Sequence, residues 1–248
     1  MEPKDQHNSG EDRYFVTTRW SIIVASRSNR SEIEKARDAL AQLCRIYWRP
    51  VHDFIRRKGY GPQDAEDLAQ DFFMKIVTSD FLLHADQERG KFRALLLTSL
   101  QNFLLDARDG ARALKRGGGQ QLSRTDNDIP AEAEPGWSPE RLFDVSWAGT
   151  LSERALDQLK EECVRAGRER VFVELSPFLS LNVDDWNYEK ATEVLGMPGA
   201  TVRTLVKRLR ERYRSLLRAE VAETVDTPGE VEEELRYLYD LLIAGSSR

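Results

Sequence analysis

Apolar side chains recur along this chain at three- and four-residue steps, and no stretch shows the two-residue alternation of a strand. Met1 to Phe15 is polar and aperiodic, which predicts a disordered tail over residues 1–16. From Trp20 the pattern turns helical. Ile23 and Val24 stand near the start of one segment, and Leu40, Leu43, Cys44, Tyr47 and Trp48 predict a long helix ending near Pro50. After Val51 to Ile55 comes the turn signal Gly59-Tyr60-Gly61-Pro62. Ala65, Leu68, Ala69, Phe72, Phe73 and Ile76 then fall at offsets 0, 3, 4, 7, 8 and 11, one face of a helix over Gln63 to Val77. A loop around His84 to Gly90 precedes a further helix, roughly Phe92 to Lys115. It is apolar through Leu95, Leu96, Leu100, Phe103 and Leu104 and basic toward its end.

Gly117-Gly118-Gly119 stops that helix, and the Gln-, Asp-, Asn-, Pro- and Gly-rich stretch after it predicts a flexible linker over 117–139. Beyond it, Pro139 to Ala166, Glu169 to Leu179, Asn187 to Leu195, Ala200 to Arg218 and an acidic Gly229 to Ile243 read as helices. The expected fold is all-α. A helical bundle over 17–116 and a smaller domain over 140–218 flank the linker, and an acidic helix lies within 219–248.

Charge changes this picture through its distribution. The net charge of -5 argues against a uniformly basic nucleic-acid coat. Yet Arg203 to Arg218 holds seven basic residues and one acid, while Glu220 to Glu234 holds seven acids and no base. Cys44 and Cys163 stand far apart, and His7, His52 and His84 have no partner at metal-ligand spacing, so neither a disulfide framework nor a zinc site is expected. No run of apolar residues is long enough for a membrane span, and a cytoplasmic protein is expected.

The pair of helices near residue 200 carries the first functional signal. Asn187 can cap the first, Gly196 supplies a left-handed turn, and Pro198 starts the second. In the second, Val202, Leu205, Val206, Leu209, Tyr213, Leu216 and Leu217 form an apolar stripe. Arg203, Lys207, Arg210 and Arg214 recur at offsets 0, 4, 7 and 11 on the other side. A short helix, a Gly turn and a basic helix make the helix-turn-helix plan, whose second helix reads the major groove. Thr201, Arg203, Thr204 and Lys207 are the candidate readers, and Arg208, Arg210, Arg212 and Arg214 the candidate phosphate contacts. The alternative is a solvated charged face on a packing helix.

The second signal is acidic. Asp64, Asp67 and Asp71 fall at offsets 0, 3 and 7, opposite the apolar face of their helix. They suit an ordinary acidic surface or part of a divalent-metal site, although no second carboxylate-rich helix completes a coordination shell. The five tryptophans, Trp20, Trp48, Trp137, Trp147 and Trp186, are scattered at predicted helix ends and suit packing better than a base-stacking platform. Gly117 to Gly119 lacks the preceding strand and following Lys-Ser/Thr of a phosphate loop. The acids of 220–234 suggest a shield for the basic helix in the absence of DNA.

Two strings resemble a known family. Asp64-Ala65-Glu66-Asp67-Leu68-Ala69-Gln70-Asp71-Phe72-Phe73 resembles the region-two signature of ECF sigma factors of bacterial RNA polymerase. Phe92-Arg93-Ala94 with Asn102 and Asp106 resembles the helix that follows it. Tyr188-Glu189, Leu195-Gly196-Met197-Pro198 and Thr201-Val202 resemble region four. The likeness covers roughly residues 17–116 and 140–218. It is especially close to longer members that begin with Thr-Arg-Trp, here Thr18 to Trp20, and carry Ala-Leu-Lys-Arg-Gly-Gly-Gly, here Ala113 to Gly119. Leu95 stands where many members have Trp, and Lys190 precedes Ala191 where Ile is usual.

The resemblance implies that Asp64, Asp67, Gln70 and Asp71 face core RNA polymerase. It implies that the loop Asp86 to Lys91, with Asp86, Arg89 and Lys91, forms together with Asn102 a pocket for a base flipped from the melted minus-ten element, that Arg93 also contacts this DNA, and that Arg108, Arg112, Lys115 and Arg116 hold adjacent phosphates. Thr201, Arg203, Thr204, Lys207, Arg208, Arg210 and Arg214 then read the minus-thirty-five duplex. Core polymerase, promoter DNA and its melted strand are the implied partners, with an anti-sigma protein as a further one. No catalytic residue, cofactor or resident metal is expected. Two readings stay open beside this one: a dimeric helix-turn-helix repressor or activator, and an all-α metal-dependent hydrolase built on Asp64, Asp67 and Asp71.

Overall fold

A computed structural model describes residues 33–78, 92–116, 137–179, 188–225 and 228–246, with side chains over 38–77, 92–110, 137–179, 188–225 and 229–243. Every regular element among them is helical, and none is a strand. The tail over 1–16, most of the linker, and Trp20 and Trp186 lie outside the described residues.

Helix α1 (Ile33–Arg57) buries Leu40, Leu43, Cys44, Tyr47, Val51 and Phe54, a 3.6-residue row. It does not end at Pro50, which lies inside it. A mid-helix proline deprives the carbonyl four residues back of its donor and costs about 3 kcal/mol. Here Tyr47, Val51 and Phe54, all without exposed surface, hold both sides of the proline in the core and offset that cost. The helix stops instead at Gly59, whose φ of 91° is open to glycine and costly for other residues. Helix α2 (Pro62–Thr78) begins on a proline and buries Ala65, Leu68, Ala69, Phe72, Phe73 and Ile76, the face read from the sequence. Helix α3 (Phe92–Arg116) buries Phe92, Leu96, Leu100 and Leu104.

Helix α4 (Pro139–Arg165) starts at Ser138, whose hydroxyl accepts from the Arg141 N–H at 3.2 Å. It packs along α1 on one side and α7 on the other. Trp147, Leu151 and Ala155 have no exposed surface. Its polar flank is tied to the earlier helices as well: Arg49 donates to Glu153 at 2.9 Å, Ser146 to Asp53 at 2.7 Å and Gln101 to Glu140 at 3.1 Å. The short α5 (Glu169–Leu175), a 3-10 turn at Ser176–Leu179, α6 (Glu189–Leu195), α7 (Gly199–Ala222) and α8 (Pro228–Ser246) complete the described chain.

These helices enclose two clusters. The larger runs from Ala39 in α1 through α2, α3 and α4 to Leu217 in α7 and Leu241 in α8. The smaller holds Leu175, Phe178, Ala191, Val202 and Val206 beneath the helix-turn-helix. The boundary expected at 117–139 therefore falls between helices that share one core, and only the tip formed by α5, α6 and the start of α7 has a core of its own.

Candidate nucleic-acid interface

The turn between α6 and α7 follows from local chemistry. Gly196 has φ 62° and ψ 31°, and the N–H groups of Gly196 and Met197 reach Glu193 and Thr192 carbonyls at 3.2 Å. A left-handed glycine thus lets the backbone satisfy the orphan carbonyls while reversing direction. Tyr188, not Asn187, occupies the N-cap of α6, and Asn187 lies outside the described residues. Tyr188 stacks on Phe178 at 4.9 Å, and Ala191 carries the packing of α6 while Lys190 points to solvent. Lys190 thus lies outside the small core.

On α7 the residues expected to meet DNA divide by what holds them. Thr201, Arg203, Thr204, Lys207, Arg208 and Arg214 are exposed. The Thr204 hydroxyl donates back to the Ala200 carbonyl at 2.9 Å, and Lys207 approaches Glu211 at 3.8 Å, a loose exposed pair. Arg210 is half-buried and its Nε donates to the Phe178 carbonyl at 2.9 Å, which anchors α7 to the 3-10 turn. Arg212 is tied to the Glu162 carboxylate at 2.8 and 2.5 Å; it braces α7 on α4 and is not a phosphate contact in this arrangement. Arg203, Lys207, Arg210 and Arg214 line a cleft of about 290 Å³ along this face.

The acidic ridge of α2 is where the sequence puts it. Asp67, Gln70 and Asp71 are exposed and Asp64 is half-buried. Sequence reasoning missed its apolar neighbours. Met74, one turn from Gln70, is 62% exposed, and Trp48 stacks on Phe73 at 5.6 Å with 37% of its surface open. An acidic ridge flanked by exposed Met and Trp is better suited to a protein partner than to solvent alone.

Of the residues expected at a flipped base, Asp86, Arg89 and Lys91 lie outside the described residues. Asn102 is exposed beside Phe72, Lys75, Ser99 and Phe103, which line a cleft of about 220 Å³. Lys75 sits over the Phe103 ring at 5.5 Å and 3.8 Å from Asp106. Arg108 is exposed, while the side chains of Arg112, Lys115 and Arg116, on the last turns of α3, lie outside the described ones.

Arg93 corrects the expectation of a nucleic-acid contact. Its guanidinium is 16% exposed, pairs with Asp144 of α4 and lies 3.3 Å from Glu234 of α8. The Trp147 and Tyr237 rings sandwich it, each 4.9 Å away, and the Tyr237 hydroxyl donates to Asp144 at 2.5 Å. Burial opposes the charge, but Glu234 and then Asp144 outweigh it, so the pKa of the guanidinium is raised. This arginine is committed to joining α3, α4 and α8.

Two of the acids of 220–234, Glu220 and Glu234, are taken up inside the fold, and a third, Glu232, meets a cation of α7. Glu220 is buried and accepts from Arg154 at 2.7 Å and from Gln158; Glu234 is buried against Arg93; Glu232 pairs on the surface with Arg218. Among the described residues no group of three or more His, Cys, Asp or Glu converges to hold a metal ion. Burial pushes the Cys44 thiol up to about 12 and raises Cys163 as well, so neither is a ready nucleophile. No helix among the described residues is long and apolar enough to cross a membrane. Compared with family models, curated proteins and solved structures, the chain has no match.

Proposed function

We propose that this chain is a transcription initiation factor of the ECF sigma type, which binds core RNA polymerase and directs it to promoters without covalent chemistry of its own. The observation that carries the reading is the segregation of exposed charge. Carboxylates line the outer face of α2, and guanidinium and ammonium groups line the outer face of the second helix of a helix-turn-helix. Asp64, Asp67, Gln70 and Asp71 dock the polymerase, with Met74 and Trp48 adding apolar area. Asn102 and the end of α3 serve the minus-ten element, and the start of α7 reads the minus-thirty-five element through Arg203 and Lys207.

Run-off transcription with purified core polymerase on genomic fragments tests this. Discrete start sites that depend on the added protein are expected; absence of both a polymerase complex and specific transcripts would end the proposal. One observation favours a second reading, a dimeric helix-turn-helix regulator. α7 and α8 share the large core with α1 to α3, so the described helices present no two lobes free to spread along a polymerase. Sedimentation of the free chain separates the two, since that reading requires a dimer whose spacing matches two half-sites.

A further inference from the structure

The cationic stripe of α7 does not end where the helix-turn-helix does. Arg203, Lys207, Arg210, Arg214 and Arg218 fall at offsets 0, 4, 7, 11 and 15. At 3.6 residues per turn these positions stay within a wedge of about 80°. Arg214 lines the cleft of about 290 Å³ beside the reading end of α7 and also a second cleft of about 490 Å³ between α7 and α8. The second is walled by Arg218 from α7 and by Glu232, Arg236 and Tyr239 from α8. Arg236 is the one basic residue of α8, and among the described residues it pairs with no carboxylate. The cleft thus gathers three guanidiniums around a single carboxylate, Glu232, which Arg218 holds.

Like charges brought together in this way repel unless an anion lies between them. The shape of the cluster says which kind. The cations of α7 follow a line, with about 4.5 to 6 Å of helix rise from one to the next, and Arg236 of α8 shares the cleft at its end with Arg214 and Arg218. A line of that sort suits a repeating phosphate backbone, which offers a charge about every 3.4 Å of axis on each strand.

We propose that the DNA footprint of this protein runs past the helix-turn-helix onto α8, with Arg218 and Arg236 taking backbone phosphates that flank the bases read by the start of α7. The inference rests on the reading above that α7 binds duplex DNA. In this arrangement Arg218 reaches a phosphate by leaving Glu232, so Glu232 sets the affinity of the extension and the predominantly acidic last helix completes the DNA surface.

The test is the salt dependence of binding by the full chain to a labelled duplex of arbitrary sequence, followed by fluorescence anisotropy. Each phosphate contact contributes a slope of about 0.9 in log affinity against log salt, so Arg236→Ala should weaken binding about eight-fold at 0.1 M salt, with the difference vanishing toward 1 M. Glu232→Gln should strengthen binding, and both variants should melt close to the parent because the side chains are exposed. If Arg236→Ala keeps the parent's slope while Arg203→Ala lowers it, the footprint ends on α7 and the extension is overturned. If neither substitution changes the slope, or the parent does not hold duplex at low salt, the DNA reading of α7 falls with it.

Discussion

Charged residues in the seam where α3, α4 and α8 meet behave differently from those on the outer faces of α2 and α7, though the residue types are the same. In the seam Arg93 is enclosed by two carboxylates and two aromatic rings, and nearby, where α7 packs on α4, the buried Glu220 is held by Arg154 and Gln158. Outside, Asp67, Asp71, Arg203 and Arg214 meet solvent. A charge removed from water must find its compensation inside the fold, and once compensated it has little left to offer a partner. An exposed charge adds little to stability and keeps its full field for something that arrives. Partner-binding charges are therefore distinguished by what surrounds them and not by residue type.

The comparison can be broken at its strongest point first. Asp67→Lys should abolish the complex with core polymerase, read by gel filtration, while the melting temperature and duplex binding stay near the parent's; an intact complex would remove the docking role of α2. Arg93→Met should cost about 3 to 5 kcal/mol in urea denaturation, because the half-buried Asp144 and the buried Glu234 are left without this cation. Adding Asp144→Asn and Glu234→Gln should recover much of that loss, and failure to recover would mean that packing on Trp147 and Tyr237 dominates. Arg203→Ala should leave stability unchanged and weaken binding to an upstream promoter element by about 1 to 3 kcal/mol with relaxed sequence preference, measured against a panel of base substitutions.

The smallest effect sits between the two regions, at Arg212 and Glu162. The hydrogen bond from Arg212 holds the Glu162 carboxyl below its ordinary value of 4.5. A carboxyl with a lowered folded pKa stabilises above its unfolded pKa, and that contribution fades as pH falls through the folded value. Glu162→Gln should therefore cost under about 1 kcal/mol at neutral pH. The difference from the parent should shrink below about pH 4.5, visible in melting curves taken down the acid limb.

Much of the helical layout was legible because the apolar rows of α2, α3, α4 and α7 are regular, and Gly196 marks a turn that few other residues can make. The end of α1 was misplaced because a proline stops a helix only when packing does not hold both flanks, and the sequence alone does not show that Tyr47, Val51 and Phe54 do so. The exposed halves of the candidate site, Asp67 and Asp71 on α2 and Arg203 and Lys207 on α7, were read correctly as exposed, since each lies opposite an apolar stripe. The buried charges Arg93, Glu234 and Glu220 were not foreseen, although a signal was present. Glu234 stands three residues after Val231 and one before Leu235, Glu220 lies between Leu217 and Val221, and Arg93 is four residues before Leu97 and seven before Leu100. A charged residue within an apolar row is a candidate for burial, and its partner is fixed only by tertiary contacts distant in sequence.

One core drawn from Leu40 and Leu241 also has a bearing on how the molecule is made. Contacts so far apart along the chain form only after the intervening segments have been brought to order, which slows assembly relative to a bundle of sequential neighbours. A nascent chain that has emerged only as far as Val225 would still lack Val231, Leu235, Leu238 and Leu241 and would show water the apolar surface they cover. The helix-turn-helix tip, with a small core of its own, does not wait for them, whereas the larger core stays open on one side until the last helix arrives.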